Sequence, residues 1–289
     1  MKQTKEYYNK LFQGDCLDVM GRLPEDSVDM VLCDLPYGVL NKSNDKARWD
    51  CQIPLDALWE QYRRVCKDDA PIVLFAQGMF TADLMESNRS MWRYNLVWDK
   101  VNPTGFLNAR RMPLRSHEDI CVFYDRLPVY HPQMTPYDAS LRHGKGTKCF
   151  REDYSGHNGC YGNFRQTETL MSDEKFPKSI ITVKRKHDTG HHYHPTEKPV
   201  ELLRYLIRTY SDDGDVVLDN TMGSGSTCVA AVKEHRHFIG IEKDESFYLT
   251  ACGRVKEALG DRYDTVINEP GRGNEPARQE DRCPRGMHL

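Results

Sequence analysis

The sequence has no apolar run approaching the eighteen or so residues a bilayer-spanning helix needs. Its opening stretch, MKQTKEYYNKLFQGD, lacks an apolar signal core. A soluble cytoplasmic protein with no membrane partner is therefore expected. There is no surplus of positive charge either: 40 Lys and Arg stand against 43 Asp and Glu, a formal net charge of −3, so any affinity for nucleic acid has to rest on local charge. None of the ten cysteines forms a Cys-x-x-Cys pair, which argues against zinc ribbons and thioredoxin-like redox sites. Cys33 in VDMVLCD and Cys121 in DICVFY lie inside apolar stretches and read as small buried hydrophobes of a reducing compartment. No internal repeat is present. What is present is 39% hydrophobic residues in 289, enough for a real core.

Six short, near-continuous apolar runs punctuate the chain: VDMVLCD (28–34), PIVLFAQ (71–77), YNLVWDK (94–100), DICVFYD (119–125), DVVLDN (215–220) and FIGIEKD (238–244). Strands buried on both faces of a parallel sheet read this way. Leu55, Leu58, Trp59, Tyr62 and Val65 recur at helical spacing, and so do Leu202, Leu203, Leu206 and Ile207 after Pro199. The alternation predicts an α/β fold, a doubly wound and mostly parallel sheet. Between Arg126 and Lys198 the periodicity is lost; 12 Lys and Arg, 8 Asp and Glu and seven His are interspersed with Gly and Tyr. This reads as an insertion carrying recognition, the plain alternative being an irregular surface segment. The expected organisation is 1–125 as a reactive half, 126–190 as the insertion, 191–265 as a cofactor-binding half, and 266–289 as a disordered Pro/Gly/charge-rich tail.

Around position 220 the order is strand, glycine loop, helix, strand: DVVLDNTMGSGSTCVAAVKEHRHFIGIEKD. Gly223 and Gly225 allow a tight turn and close backbone approach to a ligand at a helix N-terminus. Glu242 follows Gly223 by 19 residues, at the end of the next strand, where an acid can bind ribose hydroxyls. A nucleoside-containing cofactor is the better reading, with a structural turn as the alternative. Cys228 stands where a dinucleotide fingerprint wants its third glycine, and Asp219 at the strand tip would repel a pyrophosphate. The same carboxylate would pair with the α-ammonium of a methionine, which favours S-adenosylmethionine over NAD.

The second loop, Asp34-Leu35-Pro36-Tyr37, falls just past the carboxyl end of a strand, where ligands of open α/β sheets bind. An exocyclic amine on adenine or cytosine is a poor nucleophile because its lone pair is delocalised into the ring. A carboxylate and a main-chain carbonyl, each accepting one N–H, pull the nitrogen towards a pyramidal geometry. Asp34 and the Leu35 carbonyl are suited to this, with Pro36 stiffening the turn. The carboxylate also stabilises positive charge developing on nitrogen. Tyr37 offers a face on which an extruded base can stack. The alternative is a turn that ends a strand and packs its tyrosine.

Together, GDCLDVM (14–20), DLPYG (34–38), HPTEKPVELL (194–203) and DNTMGSGST (219–227) resemble the β-class amino-methyltransferases of DNA, which make N6-methyladenine or N4-methylcytosine. The motifs span nearly the whole chain in that family's order, reactive loop first and glycine loop last, as in a circular permutation of the methyltransferase sheet. The resemblance implies a bacterial or phage-encoded enzyme of the restriction-modification type. It places Asp15 on the adenine amino group of the cofactor, and Thr196 and Lys198 at its methionine end, alongside Asp219, Asn220, Met222, Gly223, Gly225, Ser226, Thr227 and Glu242. Leu35 replaces the family's first proline and Met222 its phenylalanine, the latter removing a packing contact beside the cofactor. For Asp15 the alternative is a helix cap; for His194 and Lys198 it is a solvated loop.

Arg110, Arg111 and Arg115 lie in NPTGFLNARRMPLRSHE between two predicted strands, with only Glu118 opposing them, and form a candidate phosphate-binding stretch. Solvated surface charge is the alternative. His143, Cys149, His157 and Cys160 match no common zinc spacing, so no metal is expected. The leading reading is a double-stranded-DNA methyltransferase acting on adenine N6, since Asp at the first loop position is commoner in the family's adenine enzymes. N4-cytosine methylation and a non-catalytic DNA-binding module are the alternatives. The absence of a Pro-Cys dipeptide disfavours cytosine-C5 chemistry. A homodimer is a partner state the sequence leaves open.

Overall fold

In the computed structural model, which describes residues 7–39, 50–136, 157–158, 162–163, 174–185 and 197–263, the apolar runs become the strands of one sheet. In chain order the elements are β1 (Lys10–Gln13), α1 (Cys16–Met20), β2 (Met30–Asp34), α2 (Leu55–Val65), β3 (Ile72–Ala76), α3 (Met79–Ser87), β4 (Trp92–Thr104) and β5 (Arg115–Phe123). Four two-residue strands follow: β6 (Thr135–Pro136), β7 (His157–Asn158), β8 (Gly162–Asn163) and β9 (Glu174–Lys175). The chain then runs through β10 (Ile180–Thr182), α4 (Val200–Tyr210), β11 (Val216–Asp219), α5 (Ser226–Lys233), β12 (His237–Glu242) and α6 (Glu245–Leu259). The eight-stranded sheet has the order β1-β12-β11-β2-β3-β5-β4-β10. It is parallel except for β5, which pairs antiparallel with both β3 and β4.

Alternation along the strands divides the core into two layers. In β2, Met30 and Leu32 face the cluster that contains Leu202, Leu206, Ala230, Val255 and Phe238, so α4, α5 and α6 cover that side. Val31 and Cys33 face the other cluster, with Val19, Leu58, Trp59, Tyr62 and Leu84 of α1, α2 and α3. Both faces of the central strands are thus dry, which is why their sequences read as continuous apolar runs rather than alternating ones. The seven cysteines among the described residues are free thiols, five of them buried. No helix of the described residues is long and apolar enough to cross a membrane.

The chain divides into two compact units, one formed by Met1–His131 with Ser179–Leu289, the other by Pro132–Lys178. Within the second, β6 pairs with β9 and β7 with β8, both antiparallel. The segment expected as an insertion over 126–190 is broader than this unit. Ile180–Thr182 lie instead on β4, in register with Val97, Trp98 and Asp99. The tail expected over 266–289 lies outside the described residues.

Candidate active site

β11 and β2 are neighbours, yet the helices that follow them cover opposite faces of the sheet. Such a reversal opens a crevice at the carboxyl ends of the strands. Asp219 ends β11, Asp34 ends β2 and Glu242 ends β12, so three acids share this edge. Thr221 connects the two loops directly. Its Oγ1 donates to the Asp34 main-chain carbonyl at 3.0 Å and lies 2.9 Å from Cys33 Sγ.

Gly223 and Gly225 both adopt positive φ, 52° and 79°. A Cβ at Gly225 would stand 2.9 Å from the Ala251 Cβ of α6, so conformation and space both require glycine there. Glu242 holds the loop from the next strand: Oε2 accepts Gly223 N–H at 2.8 Å and Oε1 accepts Asp244 N–H at 2.8 Å. Burial pushes its carboxyl up. Met222 is buried against Gly240, where a Cβ would run into its sulfur, so the loop still packs on β12.

The remaining polar residues of this loop bond to protein groups. Asn220 Oδ1 accepts from Tyr62 Oη at 2.6 Å, and Thr227 bonds to Asp219. Ser226 Oγ donates to Glu197 at 3.1 Å, and Arg254 binds Glu197 at 2.6 Å while also reaching Ser224 and Ser226. Asp219 itself is 4% exposed, and no cation among the described residues pairs with it. Burial pushes its carboxyl up to about 6, against hydrogen bonds from Thr227, Cys33 and the Thr221 N–H.

Asp34 takes a hydroxyl and an ammonium, one on each carboxylate oxygen. Tyr37 Oη donates to its Oδ1 at 2.8 Å, and the Lys198 ammonium lies 2.5 Å from its Oδ2. Lys198 also sits 3.3 Å from Glu118 Oε2, whose Oε1 is 3.2 Å from Lys100. Two lysines and two acids therefore alternate along one line. Burial would strip the proton from Lys198, but Asp34 and Glu118 outweigh it and hold the ammonium above its ordinary range. Glu118 is held below its ordinary range because the two lysines overcome its burial. Asp34 is pushed up, by burial first and by Glu118 next, with Lys198 and Tyr37 pulling down.

The turn that presents Asp34 is built from behind. Asp50, 2% exposed, accepts the N–H groups of Gly38 at 2.9 Å and Val39 at 2.8 Å. The Leu35 side chain is buried, and no described residue donates to its carbonyl oxygen. Pro36 lies between that buried side chain and Tyr37. The Tyr37 ring packs on Phe80 with centroids 4.9 Å apart.

Other predicted residues fall elsewhere. Asp15 caps α1, accepting Leu17 N–H at 3.0 Å, and its second oxygen is 3.3 Å from Lys243, beside the end of β12. Lys198, implied by resemblance to meet a cofactor carboxylate, is instead enclosed by Asp34 and Glu118, because it enters the crevice from the segment just before α4. Glu118 does not oppose the arginine stretch: its carboxylate points into the sheet edge, onto Lys100 and Lys198. Arg110 and Arg111 are exposed and pair with no described residue, while Arg115 donates to Gln77 at 3.2 Å. Thr196 and His194 lie outside the described residues, as do His143, Cys149 and Cys160. Among the described residues no three His, Cys, Asp or Glu side chains form a metal-holding group. Nothing in the sequence singles out Thr221, Asp50 or Lys100, and Glu118 reads there only as the acid opposing the arginines; the one cue for Thr221 is its place inside DNTMGSGST.

The crevice thus combines a glycine loop backed by buried acids with an acid–carbonyl pair on the adjoining strand. A family model described as DNA methylase matches residues 28–252. The type II methyltransferase M.HinfI of Haemophilus influenzae is 24% identical over 285 residues, covering 89% of this chain and 71% of that protein. M.BglII of Bacillus subtilis is 25% identical over 294 residues, covering 93% and 72%. Among solved structures, the M1.HpyAVI–SAM complex aligns with a TM-score of 0.57 at 20% identity, covering 87% of this chain and 98% of that one. The cytosine-N4-specific PvuII DNA methyltransferase aligns at 0.58 and 15%, covering 89% and 91%. At these identities the structural likeness speaks to the fold.

Proposed function

Because the chain belongs to the N6/N4 family of DNA methylases, we propose that it transfers a methyl group from S-adenosylmethionine to the exocyclic N6 of an adenine everted from duplex DNA. The observation that carries this reading is the position of Asp34: at the switch point, tied through Thr221 to the glycine loop, and followed by a carbonyl that no described residue occupies.

The residues present fit the cofactor. Asp219 is a buried carboxylate that no described cation pairs, and an α-ammonium would complete it. Glu242 keeps lone pairs for ribose hydroxyls while it holds the Gly223 N–H. The backbone of Gly223–Gly225 lines the loop. By the family's pattern Asp15 would hold the adenine amino group; Thr196, implied for the methionine end, lies outside the described residues. When bound, S-adenosylmethionine supplies an electrophilic methyl carbon on a sulfonium.

The protein's own task is to make the amine nucleophilic. Asp34 and the Leu35 carbonyl each accept one N–H of the target amine, which turns its lone pair out of the ring plane. A carboxylate offers about four acceptor positions, so Asp34 accepts the amine without giving up Lys198 or Tyr37. As positive charge grows on the nitrogen, the Asp34 carboxylate stabilises it in a crevice of low dielectric. Lys198 pulls against the burial that pushes the Asp34 carboxyl up. The Tyr37 ring, fixed by Phe80 and Asp34, provides the stacking face for the base. Arg110, Arg111 and Arg115 supply phosphate contacts.

Labelled S-adenosylmethionine and mixed-sequence duplex DNA, followed by digestion to nucleosides, test the assignment. Label in N6-methyldeoxyadenosine is expected. Label in N4-methyldeoxycytidine would establish the other amine, which the same acid–carbonyl pair can hold. No labelled nucleoside, with the cofactor demonstrably bound, would overturn the reading.

A further inference from the structure

The strand directions put the loop between β4 and β5 on the reactive edge. β5 runs antiparallel to β3, and β4 antiparallel to β5, so the end of β4 and the start of β5 emerge where β2 delivers Asp34. At the tip, Gly105 takes φ 89° and leads into a single 3-10 turn, Phe106–Asn108. The turn is braced: the Asn108 carbonyl accepts from Arg111 N–H at 2.8 Å and Met112 N–H at 3.0 Å. The base of the loop is fixed to the end of β3, because Gln77 donates to the His117 carbonyl at 3.1 Å and accepts from Arg115.

This braced tip presents Phe106 and Leu107 to solvent, 78% and 84% exposed, with Arg110 and Arg111 on the turns that follow. Two large apolar side chains held out in water, beside cations that pair with no described residue, have no role in the core. The combination suits a surface with apolar planes inside and phosphates outside, which is duplex DNA. Everting a nucleotide leaves a gap in the base stack, and apolar side chains inserted between base steps are a known means of filling one.

We propose that Phe106 and Leu107 form a wedge that enters the base stack at the position the target nucleotide leaves, with Arg110, Arg111 and Arg115 on the flanking phosphates. The proposal rests on the reading of Asp34 as the receiver of an everted base. It adds that this chain stabilises the everted state from outside the base pocket.

The test uses the full chain with S-adenosylmethionine and a duplex bearing a site mapped on DNA that the unsubstituted protein has methylated. A second duplex replaces the base opposite the target with an abasic residue, so that no pair has to be broken. In single-turnover assays the double variant F106A/L107A is expected to methylate the paired duplex about tenfold or more slowly, yet the abasic duplex within about twofold of normal. F106W is expected to retain transfer on both. Cofactor binding serves as the control for folding. Equal loss on the two duplexes, or no loss on either, overturns the wedge. So does a change from dimer to monomer in the double variant without a difference between duplexes, which would assign the tip to contact between copies. If the unsubstituted chain methylates no DNA, the proposed function fails, and the wedge with it.

Discussion

The Lys198 ammonium lies 2.5 Å from Asp34 Oδ2, inside a line of alternating charges that continues through Glu118 to Lys100. A partly buried acid that has to remain ionised beside an incoming base needs such a counter-charge, since burial alone drives it towards the neutral form. Glu118 and Lys100 hold the lysine where it can act and keep the cluster close to neutral.

Removing the ammonium should therefore act through Asp34. Its carboxyl is already pushed up, and Lys198 is the largest influence pulling it down. In Lys198→Met the carboxyl rises further, and the ionised fraction disappears at a higher pH. The acid limb of kcat/KM against pH is expected to move alkaline, with partial recovery in Lys198→Arg. An unmoved limb with a uniformly lower rate would show that Lys198 serves something other than the charge on Asp34.

Asp219 gives a prediction of opposite sign for stability and binding. Its carboxyl rises to about 6 on folding, from an ordinary value of 3.8, so ionising it at neutral pH works against the fold. Without cofactor, Asp219→Asn is expected to be more stable at pH 7 by up to about 3 kcal/mol. That advantage shrinks as pH falls from about 6 towards 4, where the native aspartic acid also becomes neutral. The same variant should bind S-adenosylmethionine far more weakly. Thermal denaturation across pH and calorimetric titration check the two halves separately.

Gly225→Ala combines two penalties, a side chain at φ 79° and a Cβ 2.9 Å from that of Ala251. A loss of about 2 kcal/mol or more is expected in urea unfolding. Gly105→Ala has open space around its Cβ and only the strained φ, so it should cost less.

Much of this arrangement was legible in the amino-acid order, for identifiable reasons. β2, β3, β11 and β12 are dry on both faces, so their apolar runs are continuous and hard to mistake. The same property hid the direction of β5: a strand buried on both sides reads alike whether it runs parallel or antiparallel. β10 escaped because three residues with Ile180 and Thr182 exposed carry no pattern. The loops at 34–37 and 219–227 were marked by residue types that only a crevice at a strand end requires. The partner of Lys198 was not marked at all, since pairing across 164 residues leaves no local trace. Glu118 reads as a counter-charge to the arginines because the three residues before it are exposed, while its carboxylate turns inward onto Lys100 and Lys198.

The arginine stretch predicts a salt dependence. Arg110→Ala and Arg111→Ala should each weaken DNA binding across sequences and reduce the slope of log K against log salt by about 1. Because neither guanidinium pairs with a described residue, unfolding by urea should be unaffected.

The proposed chemistry turns on the Asp34 carboxylate, which Asp34→Ala removes. Single-turnover methyl transfer, cofactor affinity and DNA affinity are to be measured on the same preparation. Transfer is expected to fall by about 10²–10³-fold or more while both affinities stay close to normal. Transfer near the normal rate, with cofactor and DNA still bound, would show that this carboxylate does not hold the target amine.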